Sequence, residues 1–297
     1  MNKICAVIVA YYPDQILLTN VLNSIKPQVD TAIIVNNSEK VIGQQWLDEL
    51  TSDRVCLLNL DKNVGLGAAH NIGIKWAFQH DANFVIIMDQ DSIASAQMVE
   101  LQLAAFLDIE KRGVKVGAVG PWLNNDQHLA SFHFAGLIRG GVFKRITKSK
   151  SPIEVDILIS SGSLISKVAL KDIGEMNEQL FIDNIDIDWC FRAGYLGYTK
   201  FVNPNATMMH SLGDSSVDLN LFYKKIRFAI HKPIRLYYST RNRIWLYFQT
   251  YTPWQWIFKD AFRLAGKFFV SVIIFQNKFQ NFKMIMRGLR DGFTKTF

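Results

Sequence analysis

The sequence predicts an α/β protein built on a mainly parallel sheet, and three observations carry that prediction. Apolar, β-branched runs recur at residues 3–10, 31–38, 55–60 and 83–92, with stretches of helical spacing between them. The first run is apolar along its whole length, as in a strand covered on both faces. Polar or acidic residues follow the runs at 36–38 and 89–92, which puts the functional loops beyond the carboxyl ends of the strands.

The elements follow in order. KICAVIVA (3–10) is the first strand, closed by Pro13 and Asp14. No small-residue cleavage site follows it, so it reads as a core strand and not as a signal peptide. Residues 15–26 are helical, TAIIVNNS (31–38) is a strand, 42–51 are helical and VCLLNL (55–60) is a strand. Residues 66–80 form a helix with apolar positions at helical spacing, NFVIIMDQDS (83–92) is a strand running into an acidic turn, and 95–111 are helical. Beyond Gly113 the pattern loosens. Residues 116–123 read as a strand, 124–152 as loop and hairpin, and 155–166 as a strand with a Ser-Gly turn inside it. A helix follows at 168–173, another at 184–193 with Gly194 marking its end, then a last strand and loop at 199–214. Residues 221–290 read as largely helical.

At 297 residues and 49% hydrophobic, the chain can bury a sizeable core. Cys5, Cys56 and Cys190 are too few and too scattered for a disulfide framework or a zinc pair, which points to a reducing compartment. The net charge of +7 is unevenly spread: residues 221–297 hold 15 Lys/Arg against 2 Asp/Glu, and residues 1–220 hold 18 against 24. The last segment also carries 20 of the 37 aromatic residues. The division expected is a catalytic body at 1–220, with halves at 1–115 and 116–220, and a basic, aromatic, helical region at 221–297. Such a region suits a membrane surface better than a nucleic acid.

Four constellations carry chemistry. Asp89-Gln90-Asp91 follows an apolar strand, and two carboxylates in one strand-end turn suit a hard divalent cation, Mg2+ or Mn2+, shared with substrate phosphates. A solvated turn or a helix cap is the plain alternative. Gly65-Leu66-Gly67-Ala68-Ala69-His70 imitates a dinucleotide fingerprint but lacks its third glycine and follows the third strand, so a dehydrogenase is disfavoured. Asn63, Gly65 and Gly67 would let a loop pass close to a flat ligand, or simply cap the helix. In Asp183 to Arg192, helical spacing pairs Asp188 with Arg192 and points Asp186 elsewhere, so Asp186 is the carboxylate best placed to act as a base. Capping by Asp183 or Asn184 is the alternative there. Finally, His210 sits at a strand end and Arg241, in YYSTRN, offers a cation to a diphosphate. A structural histidine and an exposed helix face are their plain readings.

Taken in order, VAYYP, Asn36-Asn37-Ser38, NVGLGAAHNIGI (63–74), DQD (89–91), SSGSLIS (160–166), FIDNIDIDWCFR (181–192), HSLGD (210–214) and YYSTRN (237–242) resemble the family 2 glycosyltransferases of the GT-A fold, especially their bacterial rhamnosyltransferase-like branch. The resemblance implies a GT-A nucleotide-diphospho-sugar transferase fold. It implies donor contacts at Tyr11, Asn36, Asn63, Gly65, Asn71, Asp89 and Arg241, a metal held by Asp89, Asp91 and His210, and Asp186 as the catalytic base. Two departures stand out. The family usually has an acid where Asn36 stands, and Ile185 replaces the Glu of its Glu-Asp pair, while FIDxxDxxW itself is a mark of the rhamnosyltransferase branch.

The function expected is inverting transfer of rhamnose from dTDP-rhamnose to a lipid-linked saccharide in cell-surface polysaccharide synthesis, at the cytoplasmic face of the membrane. One base suffices because the nucleoside diphosphate leaves as a stabilised anion, whereas a glycoside hydrolase needs two carboxylates across the bond. The competing readings are the same fold using another UDP- or dTDP-sugar (galactose, glucose or a furanose) and a non-catalytic membrane- or nucleic-acid-binding protein. The longest strongly apolar stretch near the C-terminus, Phe268 to Phe275, is far short of a spanning helix. Trp254, Trp256, Phe258, Phe262, Phe268 and Phe269 are instead expected at the bilayer interface, with Lys259, Arg263 and Lys267 toward headgroups, or else packed in a helical subdomain.

Overall fold

The computed structural model describes residues 2–43, 54–124, 136–138, 142–144, 149–210, 216–221, 224–229, 232–273 and 277–294. The expected helix at 42–51 falls almost wholly outside them. Contacts divide the chain into two units, Met1–Phe181 with Ile185–Ser211, and Ile182–Asn184 with Leu212–Phe297.

In the first unit, β1 (Ile4–Ala10), β2 (Thr31–Asn36), β3 (Val55–Asn59) and β4 (Phe84–Asp89) lie side by side in the order β3-β2-β1-β4, all parallel. Every residue of β1 is buried, as its unbroken apolar run requires. Helices α1 (Gln15–Ile25) and α2 (Leu66–Gln79) connect these strands. Asp14 caps α1 by accepting the Leu17 N–H. Helix α2 packs hard on the sheet at Gly73, where a Cβ would stand 2.4 Å from Val7 Cγ1 and 3.0 Å from Val35 Cγ2.

Beyond β4 the sheet becomes mixed. The chain turns at Gln90 and Asp91 into β5 (Ser92–Ala94), then α3 (Met98–Lys111) and β6 (Val116–Asn124). The run at 83–92 is thus two strands with different partners. Residues Gly136–Ile138 (β7) and Val142–Lys144 (β8) pair as the expected hairpin. The single strand expected at 155–166 is absent. Its place is taken by β9 (Ile153–Val155), which pairs with β11 (Thr199–His210), and by β10 (Leu164–Ser166), which lies antiparallel between β4 and β6. The break spans residues 156–163, and within it Gly162 has a φ of +78° while its N–H bonds the Ile87 carbonyl. Helix α4 (Lys167–Ile173) follows, and β11 runs parallel to β6 and antiparallel to β5.

Helix α5 (Ile185–Tyr195) shows the expected pair: Asp188, fully buried, accepts from Arg192 Nε at 2.9 Å. The same guanidinium donates to the carbonyls of Ile173 and Glu175, so it also ties down the end of α4. Gly194 does not end this helix. Gly197, with φ +79°, does so, through Gly197 N–H to Gly194 and Tyr198 N–H to Ala193, a Schellman arrangement.

The second unit opens with an antiparallel hairpin, β12 (Ser216–Leu221) and β13 (Lys224–Ala229). The region after residue 221 is therefore not helical throughout. Alternation in KKIRFA favours a strand there. Three helices follow, α6 (Pro233–Tyr247), α7 (Trp254–Ile273) and α8 (Lys278–Thr294). Asn242 Nδ2 donates to the carbonyls of Ile182 and Asp183, and Arg235 pairs with the Asp183 carboxylate at 3.1 Å, which fixes residues 182–184 to α6. Trp256 is 2% exposed and packs edge-on against Tyr247, so it belongs to the interior of this unit and not to an interface.

The interior of the first unit holds one titratable group at odds with its setting. His70, on the inner face of α2, is fully buried, and neither ring nitrogen meets a hydrogen-bond partner among the described residues. Burial lowers its pKa from 6.5 to about 4. Between those values the unfolded chain binds more protons than the folded one. Stability is therefore complete above about pH 6.5 and falls as the pH drops towards 4, by on the order of 3 kcal/mol from this group. We expect His70→Leu to lose less stability than the parent chain between pH 7 and pH 4.5 in urea unfolding; equal losses would mean that His70 does not titrate in this way.

Candidate active site

The parallel register brings the ends of four strands level. Ala10 pairs with Asn36, Asn36 with Asn59, and Val9 with Asp89. Tyr11, the 36–38 turn and the 89–91 turn therefore emerge along one carboxyl edge, the place where open α/β sheets bind ligands. The side chain of Gln90 joins two of these loops: its Oε1 accepts the Tyr11 N–H at 2.7 Å and its Nε2 donates to the Tyr11 carbonyl. Tyr11 is exposed, and its ring meets that of Tyr12 edge-on at 4.8 Å.

Asn36 is wholly buried and its amide is fully engaged. Nδ2 donates to the Lys40 carbonyl and to Asn59 Oδ1, and Oδ1 accepts from the Ser38 hydroxyl. Asn37 accepts the Val64 N–H and donates to Asn63 Oδ1, and Asn63 in turn accepts the Gly65 N–H at 2.9 Å. These asparagines tie the 36–38 turn to the loop that starts α2.

The glycines of that loop make a close approach to the chain itself. Gly65 has φ +90°, and a Cβ there would lie 2.8 Å from Phe181 Cδ2 and 2.9 Å from its carbonyl oxygen. At Gly67 a Cβ would lie 2.8 Å from the Asn177 oxygen. The Leu66 N–H bonds the Phe181 carbonyl, and Asn71 donates to Met176 O and Glu178 Oε1 while accepting the Met176 N–H. Gly65 and Asn71 thus hold the start of α2 against residues 176–181.

The two acidic constellations sit on structures that share one turn. The Asp89 N–H donates to Ser161 Oγ, which donates in turn to Ser92 Oγ at 2.8 Å. The neighbouring Ser160 lines a small pocket with Ile87, Leu158, Asp186, Trp189 and Cys190. In the β5–β11 register Ser92 faces His210, so the backbones of Asp91 and His210 end at adjacent positions. Among the described residues no three acidic, histidine or cysteine side chains form a complete metal cluster, and the His210 side chain lies outside the description. The donor types nonetheless fit a hard cation that takes its remaining ligands from a diphosphate and water.

Asp186 stands in the first turn of α5, and a second, half-buried carboxyl that the sequence reading does not single out acts on the same neighbour, Cys190. Asp156 lies in the VDILIS run; burial raises its carboxyl to about 6, with Lys200 opposing the shift. Both Asp156 and Asp186 act on the Cys190 thiol, which burial raises to about 11 and which bonds the Leu158 backbone. A carboxylate inside an apolar run was the signal available for Asp156. The chain before α5 is unusual: Phe181, Asp183 and Asn184 all have φ between +63° and +66°, a region non-glycine residues avoid unless surroundings enforce it. Arg241 belongs to the second unit. It is buried, not exposed; it donates to Asn242 Oδ1 and stacks its guanidinium 5.0 Å from the Tyr238 ring centre.

Comparison with known proteins bears on this arrangement. The sequence profile of "Glycosyl transferase family 2" matches residues 6–174, more than half of the chain. The dTDP-rhamnosyl transferase RfbF of Shigella flexneri is 29% identical over 254 residues, covering 85% of this chain and 82% of that protein. Residues 1–349 of TarS from S. aureus, solved in complex with UDP-GlcNAc, superpose with a TM-score of 0.60 at 13% identity, over 98% of this chain and 80% of that one. GalNAc-T7, solved with UDP, GalNAc and Mn2+, superposes with a TM-score of 0.59 at 12% identity, over 100% of this chain and 56% of that one. This chain spans about half (49%) of the longer TarS structure. At these identities the solved structures establish the fold, a mixed α/β sheet flanked by helices as in the GT-A transferases. With the family profile covering the sheet edge, the glycine loop and the DQD turn, the chain belongs to glycosyl transferase family 2.

Proposed function

We propose that this glycosyltransferase moves rhamnose from dTDP-rhamnose to a hydroxyl of a lipid-linked saccharide, with inversion at the anomeric carbon. The observation that carries the mechanism is the shared turn: Ser161 caps the backbone of Asp89 while Ser160 lines the pocket of Asp186. A donor diphosphate at Asp89 and Asp91 would then have its sugar directed toward the Asp186 carboxylate. The rhamnosyl donor is supported by the relationship to RfbF, at 29% identity over most of both chains. The lipid-linked acceptor is supported by the basic, aromatic C-terminal segment. A UDP-sugar is the second reading, favoured by the UDP and UDP-GlcNAc complexes of structures with the same fold.

In the proposed reaction Asp186 accepts the proton of the acceptor hydroxyl as its oxygen attacks the anomeric carbon. The bond from that carbon to the diphosphate oxygen breaks, and the nucleoside diphosphate leaves with the electron pair. Asp89, Asp91 and His210 are the residues that would hold Mg2+ or Mn2+, which neutralises the charge of the diphosphate when bound. Tyr11 is an exposed ring at the same edge and suits stacking on a base, while Asn36, Asn63, Gly65 and Asn71 shape the loops around it. Asp188 is fully buried and paired with Arg192, so its charge serves the fold.

Asp186→Asn should lower kcat by ~10²–10⁴-fold and leave donor affinity and the unfolding midpoint near those of the parent. Near-normal turnover in a folded Asp186→Asn protein would remove Asp186 from the role of base. Calorimetric titration with dTDP should show binding that depends on Mn2+, weakened strongly by Asp91→Ala and less by His210→Ala. Equal affinity in excess EDTA would count against the metal assignment without any assay of turnover. In the same titration dTDP should bind more tightly than UDP or GDP; tightest binding of GDP would reject both donor readings.

A further inference from the structure

Helices α7 and α8 are amphipathic, and the carboxylate of each faces inward. On α7 the inward positions are Trp256, Asp260 and Ser271. The Asp260 carboxylate accepts from Arg243 Nη1 at 2.9 Å and from the Tyr247 hydroxyl at 2.8 Å, both on α6. On α8 the inward positions are Asn281, Ile285, Gly288, Asp291 and Gly292. Gly288 and Gly292 admit the backbone of α6, since a Cβ at either would lie 2.7 Å from a carbonyl oxygen, of Tyr237 or Arg241.

A second set of large apolar side chains points the other way. Trp254 (71% exposed), Phe258, Phe262 and Phe269 are spaced four, four and seven residues apart and form one outward stripe on α7. Phe279 (80% exposed), Phe282, Met286 and Phe293, spaced three, four and seven apart, do the same on α8. Between them the ring of the half-buried Phe268 on α7 lies 6.1 Å from that of Phe282 in the α8 stripe. A helix of a soluble protein normally turns such a stripe to the core, and a patch of this kind marks a docking surface.

Charge indicates what covers it. Residues 221–297 contain 15 Lys/Arg and 2 Asp/Glu, and those two carboxylates, Asp260 and Asp291, are the buried ones, paired with Arg243 and with Arg287 and Arg290. The exposed flank of α7 and α8 therefore offers aromatic rings and cations with no carboxylate of its own. A second copy of the chain would set like charge against like charge. No helix among the described residues is long and apolar enough to cross a membrane. We propose that the outward faces of α7 and α8 dock flat on an anionic lipid bilayer, with the aromatic stripes at the boundary between headgroups and acyl chains and the lysines and arginines on the headgroups.

The test is flotation of the full chain with phosphatidylglycerol-containing vesicles and with pure phosphatidylcholine vesicles, at low and high salt. We expect recovery with the anionic vesicles at low salt, at least tenfold less with neutral vesicles, and loss of the bound fraction at high salt. Phe258→Ser combined with Phe262→Ser, both outward, should abolish flotation while circular dichroism and dTDP binding stay unchanged. Failure of the parent chain to float with anionic vesicles at low salt overturns the proposal. So does a dimer in sedimentation equilibrium that the same double variant dissociates, if no vesicle binding accompanies it.

Discussion

The first unit depends on a contact that tolerates no side chain. Gly65 and Gly67 let the start of α2 lie against the backbone at 177–181, close enough for the Leu66 N–H to reach the Phe181 carbonyl. That contact joins the early parallel strands to the segment that leads into α5. The left-handed backbone at Phe181 belongs to the same constraint: the residue presents its carbonyl to α2 in a conformation it would not choose alone. Asn71, further along α2, seals the junction with three hydrogen bonds. The glycines thus serve the joining of two chain segments, with any bearing on a ligand coming through that joint.

The neutral residue at position 36 has a physical reason. Its amide donates to the Lys40 carbonyl and to Asn59 Oδ1 while accepting from Ser38. An ionised carboxylate accepts only. It would set a buried negative charge against the Lys40 carbonyl and Asn59 Oδ1, two oxygens that now accept a hydrogen bond from Asn36. The usual acid of the family therefore does not suit this turn, and the asparagine is a rebuilt brace.

Much of the fold was legible in the sequence because its signals are local. The fully apolar run of β1, the Asp14 cap and the Asp188–Arg192 spacing each act within a few residues. What was not legible depends on partners far along the chain. The VDILIS–SGSLIS stretch reads as one strand, yet its two ends belong to different neighbours, β11 and β4. Gly194 and Gly197 are equally good helix terminators on paper, and only the latter takes positive φ. Of the candidate site residues, the strand register explains why Tyr11, Asn36 and Asp89 share an edge. The engagement of Asn36 and Asn71 with protein partners, and the raised carboxyl of half-buried Asp156, needed three dimensions. Trp256 and Trp254 show the same limit: helical spacing separates their faces but cannot say which of the two faces inward.

The pairing of β5 with β11 bears on how the protein is made. Ser92 and His210 are neighbours in space but over a hundred residues apart in the chain. At roughly 5–20 residues per second, the ribosome takes on the order of ten seconds to supply the second strand after the first. During that interval β1 to β4 can already align, whereas the edge beside Asp91 has no partner. Closure of such a distant pair is slow relative to local structure. The edge beside Asp91 therefore has no β11 to pair with in a nascent chain until residue 210 has been made.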